Sequence, residues 1–188
     1  MNFFKQFLKI PLETGAIASS SKGLSELITD RASLANKKCV VELGSGSGVF
    51  TNEITRKISD ECVFFCLEIN HEFVKETKKN CPSAIVYHAS AKDINRYLLE
   101  NERANCDCII SGLPWAVFNQ KLQEELLHSA YDSLEEGGEF LTFAYLQGLF
   151  LPTGIRFKKL LNNKFKRVER TKIIWNNLPP AFVYHCRK

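Results

Sequence analysis

Glu42-Leu43-Gly44-Ser45-Gly46-Ser47-Gly48 stands between the apolar run Cys39-Val40-Val41 and a helix-like stretch opening Val49-Phe50-Thr51. A glycine-rich turn from a buried strand into a helix lets backbone approach a ligand where a Cβ would clash. A second apolar run, Cys62-Val63-Phe64-Phe65-Cys66-Leu67, ends in Glu68. That is about 20 residues beyond the last glycine, where a doubly wound fold carries its ribose-binding carboxylate. Together the two features predict a nucleotide-like cofactor. The dinucleotide fingerprint, however, is Gly-x-Gly-x-x-Gly, whereas these glycines alternate and follow an acid. Glu42 would repel a pyrophosphate and suits a cation. S-adenosylmethionine, a sulfonium that also carries an ammonium group, has the matching sign.

Outward from this turn, short apolar runs alternate with helical patterns, the signature of βα units. Strands are expected at 38–43, 62–68, 84–88, 106–111, 139–145, 166–174 and 181–187, and helices near 49–58, 71–79, 92–101, 119–134 and 154–162. The predicted fold is α/β and Rossmann-like, a seven-stranded, mostly parallel sheet with helices on both faces. Glu135-Glu136-Gly137-Gly138 reads as a helix C-cap and turn before the fifth strand. Pro179-Pro180 marks the connection into the last.

The chain has 188 residues, 45% hydrophobic, enough for one α/β domain and hardly for two. Residues 1–37 stand outside the alternation and 38–188 form the Rossmann-like part of that single domain. No apolar run approaches the roughly 20 residues that span a bilayer, and no signal-peptide core is apparent, so a cytoplasmic location is expected. The seven cysteines sit mainly in apolar runs and read as buried, reduced thiols. Cys106-Asp107-Cys108 has no matching second pair, so no metal is expected. His71, His88, His128 and His185 are scattered, and nothing suggests covalent catalysis. A net charge of +4 suits an anionic surface without choosing between nucleic acid and membrane.

At the N-terminus, Phe3, Phe4, Phe7 and Leu8 fall on one helical face, with Lys5 and Lys9 on another and Pro11 as the stop. A short basic amphipathic helix is expected. It serves equally as a terminal helix packed on the core or as a weak, reversible contact with a membrane interface. Ser19, Ser20 and Ser21 then read as caps of a helix over 24–29, or as part of a small-residue flap over the cofactor, Gly15-Ala16-Ile17-Ala18-Ser19-Ser20-Ser21.

With the glycine turn and Glu68 in order, two further segments narrow the reading: Ser111-Gly112-Leu113-Pro114 at the fourth-strand end, and Asn177-Leu178-Pro179-Pro180-Ala181 near the C-terminus. Over nearly its full length the chain resembles the bacterial phospholipid N-methyltransferases, class I S-adenosylmethionine-dependent enzymes that methylate phosphatidylethanolamine. That resemblance implies a lipid acceptor, an anionic membrane surface as partner and a monomer. It places Glu42, Gly44, Ser45, Gly46 and Gly48 around the methionine part of the cofactor, and Glu68 and Ile69 at its ribose. It places Ala91 and Asp93 at the adenine, within Ala89-Ser90-Ala91-Lys92-Asp93. Asp93 also reads as a helix N-cap. Ser111 and Leu113 would lie beside the reactive methyl. Tyr145 is the candidate for orienting the headgroup, with Ser111 as a second candidate catalytic residue and Trp115 as a cation-π partner for a methylated ammonium or a core aromatic.

The ribosomal RNA adenine dimethylases share the cofactor motifs, with an Asn-Leu-Pro-aromatic motif after the fourth strand. This chain has Gly112-Leu113-Pro114-Trp115, without the asparagine side chain that holds the target amine. It also ends soon after the seventh strand, without the helical domain those enzymes use on RNA. RNA therefore ranks below lipid, although Lys158, Lys159, Lys164, Lys166, Arg167 and Arg170 form a basic stretch that suits either. A non-catalytic cofactor-binding adaptor is the third reading.

Overall fold

Five consecutive buried residues, Cys39–Leu43, form β1, and Val63–Glu68, Ile85–His88 and Cys106–Ser111 form β2, β3 and β4. Runs without alternation are what strands covered on both faces require. Leu134–Tyr145 is β5, Arg167–Arg170 β6 and Ala181–Arg187 β7, and the sheet order is β3-β2-β1-β4-β5-β7-β6. The pairings from β3 through β5 are parallel, and β7 runs antiparallel to both its neighbours. This computed structural model describes the backbone from residue 15 and the side chains from residue 22. The helix expected around Phe3, Phe4, Phe7 and Leu8 lies outside the described residues.

Helices Gly15–Ala32 (α1), Val49–Thr55 (α2) and His71–Asn80 (α3) cover one or other sheet face with Ile94–Glu100 (α4), Gln120–Ser133 (α5) and Pro152–Lys164 (α6). Side chains divide by strand alternation. Val41, Leu43, Phe65, Leu67, Ile109 and Phe140 pack with Ile94, Leu98, Leu126, Leu127, Phe157 and Leu161 of α4, α5 and α6. Val40, Cys66, Cys108, Ile110 and Leu141 pack with Leu24, Ile28, Ile54 and Val74 of α1, α2 and α3.

Several boundaries differ from expectation for local reasons. Ser19 to Ser21 do not precede a helix; they lie inside α1, which continues through Ala32. There Ser25 and Thr29 donate to the carbonyls of Lys22 and Ser25, and Leu24 and Ile28 face the core. Helix α5 ends at Ser133 with Leu134 already extended, so Gly137, at φ 79°, is not its C-cap. It shapes a bulge in β5, where the β4 pairing jumps from Cys106–Leu134 to Cys108–Glu139. Strand β6 stops at Arg170 because the next residue, Thr171, receives the Val183 amide on its hydroxyl oxygen. The α4 N-cap role expected of Asp93 is not made by its side chain; Ser90, which starts the preceding 3-10 turn, accepts the Lys92 amide. All seven cysteines are free, six of them buried. Burial pushes the Cys39 and Cys62 thiols up to about 12 and about 11, so they stay protonated at neutral pH.

Candidate active site

The order of strands reverses beside β1, whose neighbours are β2 and β4, and open α/β sheets bind ligands outside such a switch point. The turn leaving β1 carries Gly44, Gly46 and Gly48, all at positive φ. A Cβ on Gly46 would meet nothing within 4 Å, so this glycine borders open space instead of packed protein. Helix α3 holds the loop from behind. Thr77 Oγ1 donates to the Gly46 carbonyl (2.7 Å), Asn80 Nδ2 to Ser47 (2.9 Å) and the Cys81 thiol to Gly48 (3.4 Å). With the Thr77 proton committed there, the buried Ser45 hydroxyl donates to Thr77 Oγ1 (3.0 Å).

The open space is a cleft of about 320 Å³ whose floor is Gly44, Gly46, Leu67 and Glu68. Glu68 accepts the Gly46 amide on Oε2 (3.0 Å) and the Asn70 amide on Oε1 (2.8 Å). Two backbone donors thus fix the carboxylate before any ligand arrives, with lone pairs left for the vicinal hydroxyls of a ribose. Beyond it, Ile69, Phe73, Ala91, Phe118, Leu122 and Leu126 make apolar walls suited to a planar base. Ala89 and Ser90 complete that side, whereas Asp93 is exposed and lies just outside the lining.

Glu42 is not part of this lining. It is fully buried on the other face of β1, accepting from Thr51 Oγ1 (2.7 Å) and the Cys66 thiol (3.1 Å). Its Oε1 has no partner among the described residues. Burial raises the carboxyl from 4.5 to about 7, the two hydrogen bonds oppose the rise, and the Glu68 charge adds to it. An orphaned buried carboxylate oxygen is costly, and a cation bound over the adjoining Gly44 lowers that cost electrostatically. Glu68, the open Gly46 edge, the apolar base walls and the orphaned acid together fit S-adenosylmethionine.

Leu113 and Pro114 line this cleft and also a second one of about 170 Å³. The two compartments therefore meet at the end of β4. The second is walled by Trp115, Phe143, Tyr145, Leu149, Phe157 and Tyr184, and among the described residues no charged side chain lines it. Ser111 lines neither compartment. Its buried hydroxyl accepts Trp115 Nε1 (3.0 Å) and the Leu113 amide (3.3 Å), which shapes the shared wall. Trp115 is 3% exposed and stacks on Phe157, with ring centroids 4.5 Å apart, so only an edge borders the pocket. Tyr145 reaches the second compartment, and burial raises its phenol, keeping it neutral.

A family model described as methyltransferase domain matches residues 40–138. The chain belongs to this methyltransferase family. It is an S-adenosylmethionine-dependent methyltransferase with the Rossmann-like fold. An ornithine lipid N-methyltransferase from Singulisphaera acidiphila is 27% identical over 98% of this chain and 94% of its own length. Among solved structures, an O-methyltransferase from Bacillus cereus in complex with SAH superposes with a TM-score of 0.68 at 17% identity, over 96% of this chain and 90% of its own. TomG from Streptomyces achromogenes, in complex with SAM, gives 0.70 at 14% over 94% and 91%. The N-methyltransferase NodS from Bradyrhizobium japonicum gives 0.68 at 11% over 90% and 97%. The cofactor is S-adenosylmethionine.

Sequence reasoning missed Phe73, Thr77, Phe118, Leu122 and Leu126. Leu122 and Leu126 repeat at i, i+4 and read as ordinary core helix. Thr77 carried no signal, because its partner lies 31 residues away.

Proposed function

We propose that the chain transfers a methyl group from S-adenosylmethionine to the primary amine of a membrane lipid, phosphatidylethanolamine or an ornithine-type amino-lipid, at the cytoplasmic face of the membrane. The observation that carries this reading is the uncharged second compartment sharing its Leu113–Pro114 wall with the cofactor cleft. The relative named for ornithine lipid supports the same acceptor class.

The bound cofactor supplies an electrophilic methyl on a sulfonium. Glu68 and the Gly44–Gly48 loop would hold the donor, and Leu113 and Pro114 line both compartments, so an amine seated at that shared edge would face the methyl directly, with no protein between them. A lipid amine resembles lysine, with a pKa of roughly 10.4 in water, and must lose its proton before attack. An uncharged, apolar pocket penalises the ammonium and favours the neutral amine. The neutral Tyr145 phenol orients that amine by hydrogen bonding, and the aromatic walls accommodate the methylated cation that forms. Exclusion of water and in-line alignment supply the rate acceleration.

Two observations count against adenine in RNA. A Cβ at Gly112 would stand 2.4 Å from the Gly44 carbonyl oxygen, so an asparagine there would displace the glycine loop. Trp115, stacked inside the core, has no free face for a base. The deciding experiment incubates the protein and labelled cofactor with liposomes of phosphatidylethanolamine or ornithine lipid beside ribosomal RNA. Label is expected in lipid; label in RNA alone would reject this reading, and cofactor binding without any turnover would leave the adaptor.

A further inference from the structure

Ten large hydrophobic side chains are exposed among the described residues, and six of them lie at the end of the sheet that carries the second compartment, five in connections and Ile155 in the first turn of α6. Val117 follows β4. Phe150, Leu151 and Ile155 lead from β5 into α6. Trp175 and Leu178 sit between β6 and β7. Scattered exposed leucines need no explanation, whereas a contiguous patch does.

The latter two connections are joined by a backbone hydrogen bond, Leu146 amide to Pro180 carbonyl (2.8 Å). Within 174–181 the Ile174–Ala181 bridge closes the turn, and the buried Asn177 donates to the Pro179 carbonyl (2.6 Å). That inward packing leaves Trp175 and Leu178 outside, 68% and 64% exposed, and in the connection tied to theirs Phe150 is 79% exposed. Leu151 both lines the pocket and is exposed, so the patch is continuous with the acceptor's entrance.

Every charged residue within 146–160 and 171–180 is basic. Lys158 and Lys159 follow Ile155 within a turn on the exposed side of α6, and Lys172 precedes Trp175 by three residues. None of these three lysines forms an ion pair among the described residues. Apolar side chains at a rim, with lysines one turn behind, match an interface whose acyl region receives the former while the ammonium groups reach anionic headgroups. The aliphatic Leu151, Ile155 and Leu178 would gain nothing from phosphates or base edges, which favours lipid over nucleic acid.

We propose that Phe150, Leu151, Ile155, Trp175 and Leu178, flanked by Lys158, Lys159 and Lys172, form an anionic-bilayer contact of the folded domain that seats the acceptor pocket on the membrane. The inference rests on the amino-lipid reading above, and its test needs no turnover. The chain has two tryptophans, one buried at 115 and one exposed at 175, so Trp175 reports the surface directly. The full chain is mixed with phosphatidylcholine vesicles containing phosphatidylglycerol and no amino-lipid. Tryptophan emission is expected to shift to the blue and to be quenched by brominated acyl chains, both effects disappearing in Trp175→Phe. The double variant Phe150→Glu, Leu178→Glu is expected to lower vesicle partitioning about tenfold or more while cofactor binding persists.

Emission that stays unchanged, whether or not the protein sediments, would overturn the proposal; if deletion of residues 2–10 also abolishes sedimentation, the contact belongs to the N-terminus alone. Emission already blue in the free protein and shifted to the red by that deletion would show the chain's own N-terminus on the patch, also overturning it. An equal shift with ribosomal RNA in place of vesicles would reassign the surface to nucleic acid. If Trp175 inserts but no lipid is methylated, the surface stands and the acceptor reading falls.

Discussion

The two compartments on either side of Leu113 and Pro114 are built in different ways. The cofactor cleft has its floor in one contiguous motif, and polar contacts from Glu68, Thr77 and Asn80 pin that floor backbone atom by backbone atom. The second compartment draws its residues from the connection after β4, from the end of β5 and the connection that follows it, from α6 and from β7, with hardly a polar group on its walls. A ligand read through fixed hydrogen bonds needs pre-set donors and acceptors; one read through desolvation needs only shape. Changes in the first compartment should therefore abolish binding steeply, and changes in the second should tune turnover.

The sharpest break of this contrast is Gly46→Arg. Its Cβ meets no neighbour, and the backbone strain of a side chain at φ 55°, about 1–2 kcal/mol, should leave the fold standing, while the side chain fills the cleft. Loss of S-adenosylmethionine binding by calorimetry, with an unchanged circular dichroism spectrum, is expected. Next comes Glu42→Gln. The Glu42 carboxyl is raised from 4.5 to about 7 in the fold, so folding favours the protonated form. Its contribution to stability is therefore greatest below about pH 4.5 and is lost as pH rises through about 7, on the order of 3 kcal/mol in all. A cation beside it favours ionisation, so cofactor affinity should tighten over the same range. Urea midpoints and titrations at pH 5 and 8 should show both trends in the native chain and flatter ones in the variant.

Glu68→Ala removes the acceptor of two backbone amides and of the ribose. A loss of about 2 kcal/mol, roughly thirtyfold in cofactor affinity, is expected from equilibrium binding. The smallest effect belongs to the acceptor side. Tyr145→Phe should lower kcat on amino-lipid about fivefold, near 1 kcal/mol, with cofactor affinity unaltered. If it weakens cofactor binding as much as Glu68→Ala, the separation into two compartments is wrong.

The strands, the switch point and the glycine turn were legible because each is a local pattern: apolar runs covered on both faces, alternating glycines, and an acid at a strand end. Glu68, read from its spacing, and Ile69, implied by the resemblance, both line the cleft. Glu42 was legible as an acid next to the turn, yet alternation along β1 aims it under α2, so its influence on the cleft is electrostatic. Asp93 was read at the adenine and as a helix cap, yet it lies outside the cleft lining, and the preceding 3-10 turn shifts the capping task to Ser90. Ser111 was read as facing the reactive methyl, and its hydroxyl instead ties Trp115 and Leu113 together.

By itself the sequence determined the α/β order, the donor motif and the sign of its ligand, since strand patterning and a contiguous loop depend on neighbours along the chain. Tertiary structure decided where the second compartment lies, which aromatic rings are core and which are wall, and that six exposed apolar residues come to the same end of the sheet. Those depend on packing among segments up to about seventy residues apart, where identical side chains become core or surface according to what the fold brings beside them.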